Sequence, residues 1–296
     1  MISRLRDGSL VETYDNEGKL IEYLYDNKLG RILLNILISP IVSRAAGWFL
    51  DTKPSALLVE PFIKKNHLDL SDYPDREYSS FNDFFKRKIS EGKRTVNEDT
   101  SLLVSPCDGK LTVFPLSLDS SFTIKGTEYT LPSLLRNREQ SKKYCGGYGI
   151  LLRLTVDDYH RYIYPVSGNK SNNVHINGVF HTVNPKAASS LPIYKENSRE
   201  YTIIDTLSSG SILMMEIGAM MVGRIKNLHG AKAVIKGEEK GFFEFGGSSI
   251  ILLTEKDHYQ PDNDLLVNSN NGYETVVKMG ESIGKLINFG SMLING

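Results

Sequence analysis

Two glycines and two serines stand at the entrance to an apolar run near the carboxy terminus. Gly246 and Gly247 are followed by Ser248 and Ser249, and residues 250–253 are all aliphatic. Glycine accepts backbone conformations that other residues resist, so a serine after such a pair can turn its hydroxyl back onto the preceding carbonyl. That geometry suits an N-to-O acyl shift, the first step of self-cleavage. Taken alone, however, Gly-Gly-Ser favours an ordinary tight turn that enters a strand.

A serine nucleophile needs a base, and the base needs a group that orients it. The chain offers Asp108, within Ser-Pro-Cys-Asp-Gly, and His160, within Asp-Tyr-His-Arg, as residues of those two types. Each has a plainer interpretation, because Asp-Gly is a common hairpin turn and a lone histidine is more often structural. Residue types alone therefore leave both a self-cleaving enzyme and a structural β protein open.

Composition narrows the class of protein. The chain has 35 basic and 35 acidic residues, so its net charge is zero and no nucleic-acid partner is indicated. Cys107 and Cys145 are too few for a disulfide framework and too far apart for a Cys-x-x-Cys metal pair, which fits a reduced compartment. The amino terminus does not resemble a signal peptide, and no window of 18 apolar residues predicts a transmembrane helix.

The elements that must position these residues change in character near residue 100. Before it, apolar periodicity predicts helices over 19–50, with an interruption at Pro40, and over 55–65 and 80–90. Beyond it, short runs rich in Val, Ile, Tyr and Leu alternate with turn residues, which predicts strands. The predicted strands are Lys110–Phe114, Gly149–Leu154, Asn173–Val179, Tyr201–Asp205, Ser211–Ile217, Ala233–Ile235 and Ser249–Leu253. The polar segment 255–273 is predicted to be a long loop.

We therefore predict an α+β fold, in which a helical amino-terminal third packs on a β-rich sandwich or barrel-like body. The division falls between residues 1–100 and residues 101–296. The apolar stretch 29–50, with Trp48 and the cations Arg31 and Arg44, fits either a membrane interface or a helix pair packed on the body.

Eight segments, taken in order, resemble the phosphatidylserine decarboxylase family of pyruvoyl-dependent lyases. That family shows Phe-Phe-x-Arg, Ser-Pro-x-Asp-Gly, Asp-Tyr-His-Arg, Val-Asn-Pro, Asn-x-Arg, Val-Gly-Ala-x-x-Val-Gly, Lys-Gly-x-Glu-x-Gly-x-Phe and a final Gly-Ser before an apolar strand. The corresponding segments here are Phe84–Arg87, Ser105–Gly109, Asp158–Arg161, Val183–Pro185, Asn197–Arg199, Ile217–Gly223, Lys236–Phe243 and Gly247–Ser248. So many ordered matches, spread over about residues 60–255, make chance an unsatisfactory explanation.

The resemblance implies that Asp108, His160 and Ser248 form a triad that cleaves the chain between Gly247 and Ser248. The products would be chains 1–247 and 248–296, and Ser248 would become a covalent, self-made pyruvoyl group. That group would form a Schiff base with phosphatidylserine and release CO2 to give phosphatidylethanolamine, as an electron sink in place of pyridoxal phosphate. The resemblance implies no metal.

Substrate and membrane contacts are also implied. Arg161, beside His160, is the candidate partner for the substrate phosphate, and its alternative is a salt bridge to Asp157 or Asp158. The family resemblance implies a peripheral enzyme on the cytoplasmic side of the cell membrane, with residues 1–100 in contact with the membrane surface. It further implies a heterodimer of the two cleavage products, which can itself dimerise.

Two positions depart from the family pattern. Many relatives carry a second histidine three residues after the first, where this chain has Ile163, so we assign the base to His160 and keep His175 and His181 as reserves. Gly-Gly-Ser-Ser stands where Leu-Gly-Ser-Thr is common, but the Gly-Ser bond is retained.

Two other functions remain open. One is a pyruvoyl decarboxylase of a soluble amino acid, and the other is a non-catalytic lipid-binding β protein with an uncut Gly247–Ser248 bond. A serine hydrolase is disfavoured because the chain has no Gly-x-Ser-x-Gly elbow.

Overall fold

The computed structural model describes residues 2–12, 47–180, 195–218, 225–244 and 248–288. Residues 47–50 are helical, and a short 3-10 helix follows at Lys53–Leu58. The α helices with both ends in these ranges are α1 Val59–Asn66, α2 Phe81–Phe85, α3 Leu131–Leu135, α4 Arg138–Tyr144 and α5 Asn263–Asn270.

Most of the regular secondary structure in the described residues is β strand. The strands are β1 Ile2–Arg4, β2 Leu10–Glu12, β3 Leu102–Val104, β4 Gly109–Pro115, β5 Ser121–Ile124, β6 Thr127–Thr130, β7 Tyr148–Leu154, β8 Arg161–Ile163, β9 Gly168–Lys170, β10 Val174–Ile176, β11 Val179–Phe180, β12 Lys195–Glu196, β13 Arg199–Asp205, β14 Ser211–Ile217, β15 Ile225–Asn227, β16 Lys232–Val234, β17 Glu239–Phe243, β18 Ser248–Thr254, β19 Tyr259–Pro261, β20 Glu274–Val277 and β21 Ser282–Leu286.

One large sheet organises the molecule. Its order is β16-β9-β13-β14-β18-β7-β4-β20-β1-β2, with β10 beside β13, and its pairs are antiparallel except for β1 with β20. Every residue of β14 and β18 is buried, because both faces of these central strands are covered. Strands covered on both faces carry continuous apolar runs, which explains the runs at residues 212–215 and 250–253.

The two faces of the large sheet carry separate cores. On one face, Leu152, Met214 and Ile250 pack with Tyr162 and Phe243, which belong to the three-stranded sheet β15-β17-β8. The three-stranded sheet β19-β21-β3 contributes to the same core. The other face is covered by α3, α4 and the hairpin β5-β6. The strands are thus stacked in layers, an arrangement that buries both faces of the central sheet.

A smaller aromatic cluster surrounds α1 and α2. Phe81, Phe84 and Phe85 are buried there with Val59. The hydroxyl of Ser80 accepts a hydrogen bond from the Asp83 amide at 3.1 Å, which caps the first turn of α2 as its sequence predicts. This cluster places the residues that follow α2 beside the main body.

Most of the predicted elements are confirmed. Each predicted strand overlaps an observed one, and β14 agrees with its prediction at both ends. The prediction over 173–179 covers two short strands, β10 and the start of β11, rather than one. The helix predicted over 55–65 corresponds to the 3-10 helix with α1, and that over 80–90 corresponds to the shorter α2.

Two predictions about the elements need correction. The helical amino-terminal third is not supported, because β1 and β2 extend the large sheet and the described helices before residue 100 are short. The part of the predicted helical segment at 19–46 lies outside the described residues. The long loop predicted at 255–273 is wrong, since this segment contains β19 and α5. No helix in the described ranges is long and apolar enough to span a bilayer.

Candidate active site

The ends of three neighbouring strands lie side by side in the large sheet. β4 begins at Gly109, β7 ends at Leu154, and β18 begins at Ser248, which pairs with Leu154. Because β7 lies between β4 and β18, the starts of these two strands are about 10 Å apart, or two strand spacings. Asp108 immediately precedes β4, so Asp108 and Ser248 flank the end of β7.

The Asp-Gly sequence is a strand entrance rather than a hairpin turn. A Cβ on Gly109 would lie 3.0 Å from the carbonyl oxygen of Arg153 on β7, closer than nearly all real Cβ contacts. Glycine is therefore the residue that lets β4 approach β7 where Asp108 enters the site.

His160 is linked to the start of β4 through Asp158 and Lys110. The chain leaves β7 through a turn at 155–158 and arrives at His160 directly before β8. The imidazole is buried against the ring of Phe85, with ring centroids 4.2 Å apart. The carbonyl of His160 accepts a hydrogen bond from the Phe243 amide at 2.9 Å. Phe243 ends β17, so the segment that leads to Ser248 starts beside His160.

The protonation state of His160 follows from its surroundings. Its Nδ1 lies 2.9 Å from the main-chain carbonyl oxygen of Asp158, and a carbonyl can only accept, so we assign the hydrogen to Nδ1. Burial lowers the pKa of His160 to about 3, an effect that the Asp158 carbonyl opposes and Arg87 reinforces. The imidazole is therefore neutral at pH 7, with Nε2 free of a proton.

Lys110 holds the turn that orients His160. Its Nζ lies 2.8 Å from Oδ2 of the buried Asp158, and that oxygen also accepts from the Thr155 amide at 2.7 Å. Burial raises the pKa of Asp158, whereas the ammonium of Lys110 opposes that shift. The predicted triad omitted Lys110, because its partner lies 48 residues away in sequence and no local pattern indicates the contact.

Asp108 is buried among cations and a backbone amide. It accepts hydrogen bonds from Arg94 Nη2 at 2.6 Å, from Arg94 Nε at 2.9 Å and from the Met279 amide at 2.8 Å, and Lys278 Nζ lies 3.5 Å away. No hydrogen bond joins Asp108 to His160 in the part of the chain that the structure describes. The fold thus brings Asp108 to the same sheet end as His160, but the Asp158 carbonyl is the group that orients the imidazole.

Ser248 is buried at the first position of β18. Its neighbour Ser249 pairs with Arg153 of β7 and with Ile217 of β14, so β18 is held on both sides from its beginning. Gly246 and Gly247, which complete the predicted cleavage motif, lie outside the described residues.

Arg161 lies close to the site and is already paired. Its Nη1 forms an ion pair with Glu239, and its Nε donates to the carbonyl of Lys86 at 2.8 Å. The salt bridge to Asp157 or Asp158 that we considered is therefore replaced by one to Glu239. Its role as a phosphate partner stays a prediction.

The reserve histidines and two of the motifs lie away from this site or outside the residues that the structure describes. His175 is exposed on β10, where its Nε2 faces Asn177 Oδ1 at 3.0 Å and its Nδ1 lies 3.7 Å from Glu200. His181, the segment 183–185 and residues 219–223 fall outside the described residues.

Comparison with known proteins identifies the family. A family model described as phosphatidylserine decarboxylase matches residues 81–285. "Phosphatidylserine decarboxylase proenzyme 2" of Clostridium acetobutylicum is 43% identical over 266 residues, which cover 90% of this chain and 91% of the relative. The "phosphatidylserine decarboxylase proenzyme" of Clostridium botulinum is 37% identical over 94% of this chain and 97% of its own, and that of Clostridium tetani is 37% identical over 90% and 92%.

These matches put the chain among the carboxy-lyases. It belongs to the phosphatidylserine decarboxylase family, which confirms the resemblance seen in its motifs.

Proposed function

We propose that this chain is a phosphatidylserine decarboxylase that first cleaves itself between Gly247 and Ser248. The proposal is supported by the positions of Asp108, directly before β4, and Ser248, at the start of β18, on either side of the end of β7, and by a neutral buried His160 on the chain that leaves β7. The word "proenzyme" in the names of its relatives fits a chain that is made as a precursor.

Self-cleavage begins with the hydroxyl of Ser248. In our proposal Nε2 of His160 takes the hydroxyl proton while the oxygen attacks the Gly247 carbonyl carbon, and the proton then passes to the leaving amide nitrogen. The peptide bond between Gly247 and Ser248 is thereby exchanged for an ester. Loss of the Ser248 α-proton breaks the Cβ–O bond, so Gly247 leaves as a carboxylate and residue 248 becomes dehydroalanine. Tautomerisation to an imine and hydrolysis by one water, with loss of ammonia, leave the pyruvoyl group.

The surroundings of Ser248 fit such a group. The residue is buried and begins a strand that is paired on both sides, so the new end of the chain is held in place after cleavage. A pyruvoyl group supplies an electron sink for the electrons that departing carbon dioxide leaves behind. The proposed part of His160 is to pass a proton through Nε2 to the carbon that has lost its carboxylate, away from bulk water.

The orienting role is divided between two aspartates in this proposal. The main-chain carbonyl of Asp158 keeps the hydrogen of His160 on Nδ1, and Lys110 keeps Asp158 in place. Asp108 remains the third member of the triad, with its carboxylate fixed by Arg94 and the Met279 amide.

The division of the chain and its location belong to the same proposal. Residues 101–296 form the catalytic body, and residues 1–100 contact the cytoplasmic surface of the cell membrane, where the phospholipid substrate lies. Trp48, Phe49, Leu57 and Leu58 are exposed in the described part of that region, as a contact with acyl chains requires. The cleavage products form a heterodimer that can dimerise further.

The intact mass of the purified protein tests the proposal directly. We expect two chains, 1–247 and 248–296, with the smaller one blocked by a pyruvoyl group. Ser248→Ala should remain one chain and should not release CO2 from phosphatidylserine. A wild-type protein that stays one full-length chain would overturn self-cleavage. Processed protein that releases no CO2 would overturn the assigned substrate.

A further inference from the structure

Arg87 carries a buried positive charge with few partners. The residue follows α2, is 3% exposed, and contacts the rings of Tyr73 and Phe84, with its Cζ atom 4.2 and 4.4 Å from the ring centroids. Nη1 donates to the Phe84 carbonyl at 3.2 Å, whereas the buried Nε has no acceptor. No carboxylate pairs with Arg87 among the residues that the structure describes.

A buried guanidinium without an anion is costly, because the charge has left water without a partner that replaces the hydration. The two aromatic rings recover part of that cost through their π faces. Nη1 donates only to a main-chain carbonyl and Nε donates to no acceptor, so donors of the planar group remain for an anion. That fork matches a phosphate or carboxylate, which accepts two parallel hydrogen bonds.

The guanidinium belongs to the neighbourhood of His160. Phe85, two residues before Arg87, packs on the imidazole at 4.2 Å between ring centroids. Tyr73, which stacks on Arg87, lies 6.2 Å from the ring of Tyr159, the residue directly before His160. The charge of Arg87 is also among the groups that lower the pKa of His160. An anion bound to Arg87 would therefore lie next to the reacting groups.

We propose that Arg87 binds the phosphodiester of the phospholipid substrate, an inference that rests on the proposed function. Phosphatidylserine offers two anions, and they differ in what happens to their charge. The carboxylate leaves as neutral CO2, so a cation bound to it would stabilise the ground state more than the transition state. The phosphodiester keeps its charge throughout, so a cation there strengthens binding without opposing the reaction. Arg161, in contrast, already pairs with Glu239 and donates through Nε to the carbonyl of Lys86.

Steady-state kinetics on Arg87→Met and Arg87→Lys test the assignment. The substrate is short-chain phosphatidylserine, and the competitive inhibitor is short-chain phosphatidylglycerol, which has a phosphodiester but neither carboxylate nor amine. Losing hydrogen bonds to a charged group should raise the KM and the inhibition constant of Arg87→Met together, by about 10- to 100-fold, with kcat changed far less. Arg87→Lys, which keeps the charge but loses the fork, should fall between Arg87→Met and wild type.

A matched control uses another stacked arginine. Arg76 lies 4.6 Å over the ring of Tyr78, but it is more exposed and already paired with Asp83 at 2.9 Å. Arg76→Met should leave both constants unchanged. If Arg87→Met raises the KM but leaves the inhibition constant for phosphatidylglycerol at the wild-type value, the phosphodiester assignment is wrong.

Failure of this inference can be told apart from failure of the proposed function. If wild type is processed but does not decarboxylate phosphatidylserine, calorimetric titration with short-chain phosphatidylglycerol still compares wild type with Arg87→Met. Equal affinities would overturn the Arg87 site. If Arg87→Met does not fold or process, Arg87→Lys serves in its place, and a wild-type inhibition constant in that variant would also overturn the site.

Discussion

His160 contributes to the pH dependence of the unfolding free energy. Burial lowers its pKa from 6.5 to about 3, so the unfolded chain takes up a proton below pH 6.5 and the folded chain does not until about pH 3. The stability that the neutral imidazole contributes is therefore complete above pH 6.5. It falls as the pH drops towards 3, at up to about 1.4 kcal/mol per pH unit.

A comparison of two variants isolates this effect. Ser248→Ala keeps the chain uncut, and Ser248→Ala with His160→Gln removes the titrating group from the same background. Urea unfolding between pH 7 and pH 4 should show a steeper loss of unfolding free energy in the variant that retains His160. Equal slopes in the two variants would mean that the imidazole is not kept neutral by the fold.

Lys110 should affect processing through the orientation of His160. Lys110→Met leaves the Asp158 carboxylate buried without its cation. Removing one partner of a buried ion pair lowers the unfolding free energy by about 3–5 kcal/mol. Because the Asp158 carbonyl fixes the His160 tautomer, self-cleavage should slow by about 10- to 100-fold. The time course of chain cleavage by mass, and the 15N shifts of the His160 ring, measure the two effects separately.

An exposed lysine provides the control for that experiment. Lys142 pairs with Glu139 one helical turn away, with both side chains largely exposed, and such surface pairs contribute little. Lys142→Met should process at the wild-type rate. A Lys110→Met protein that processes as fast as Lys142→Met, with unchanged ring shifts, would remove Lys110 from the site.

Strands and helices differ in how far local sequence predicts them. β14 and β18 were predictable because strands buried on both faces must be almost wholly apolar. α5 was not, since three of its eight residues are Asn and its helix depends on packing. Leu265 is buried in the main core, and the Ser269 hydroxyl accepts a hydrogen bond from the Val113 amide of β4 at 2.9 Å.

The residues of the candidate site also differ in how far the local sequence predicts them. Asp108, His160 and Ser248 are residue types with well-known catalytic chemistry, so the sequence alone identifies them as candidates. Lys110 contacts Asp158 far along the chain, and its local sequence gives no sign of this contact. Arg87 belongs to the Phe-Phe-x-Arg segment that carries the family resemblance, but that segment does not predict its contact with Tyr73. Long-range contacts of this kind are what sequence periodicity leaves undetermined.

A buried ion pair should couple β14 to β17. Glu216 and Lys240 are fully buried with Oε1 and Nζ 2.7 Å apart, and Asn227 bonds to both. β14 lies beside β18 and β17 leads towards Ser248, so the pair joins two elements that frame the cleavage segment. Burial raises the pKa of Glu216 and lowers that of Lys240, as expected for charges taken out of water.

Replacing both members of this pair should cost less stability than the sum of the two single replacements. Lys240→Met alone leaves a buried carboxylate and should reduce the unfolding free energy by about 3–5 kcal/mol. Adding Glu216→Leu removes that unpaired charge and should restore part of the loss. Urea unfolding of the four proteins on a Ser248→Ala background gives the coupling energy. Strictly additive losses would show that the pair does not link β14 to β17 energetically.

The arrangement of strands predicts that the two cleavage products stay together. β18 lies in the centre of the large sheet, with six residue pairs to β14 and six to β7. β20 pairs with β4, and β21 pairs with β3, so the product 248–296 is paired with the upstream chain in more than one sheet. Ile250, Ile251, Leu252 and Leu253 are all fully buried, and each such side chain contributes about 1.5–3 kcal/mol. Cutting one bond before β18 leaves all of these contacts in place.

Processed enzyme should therefore behave as one particle until it unfolds. In native buffer both products should elute together at the volume of the uncut Ser248→Ala protein, and in concentrated guanidinium they should separate. Unfolding of the processed enzyme releases two chains where the uncut variant releases one. Its thermal midpoint should therefore fall further on dilution than that of Ser248→Ala. A small product that elutes alone without denaturant would show that the strand pairs around β18 do not survive cleavage. The new end of the chain would then not be held in place, as the proposed reaction requires.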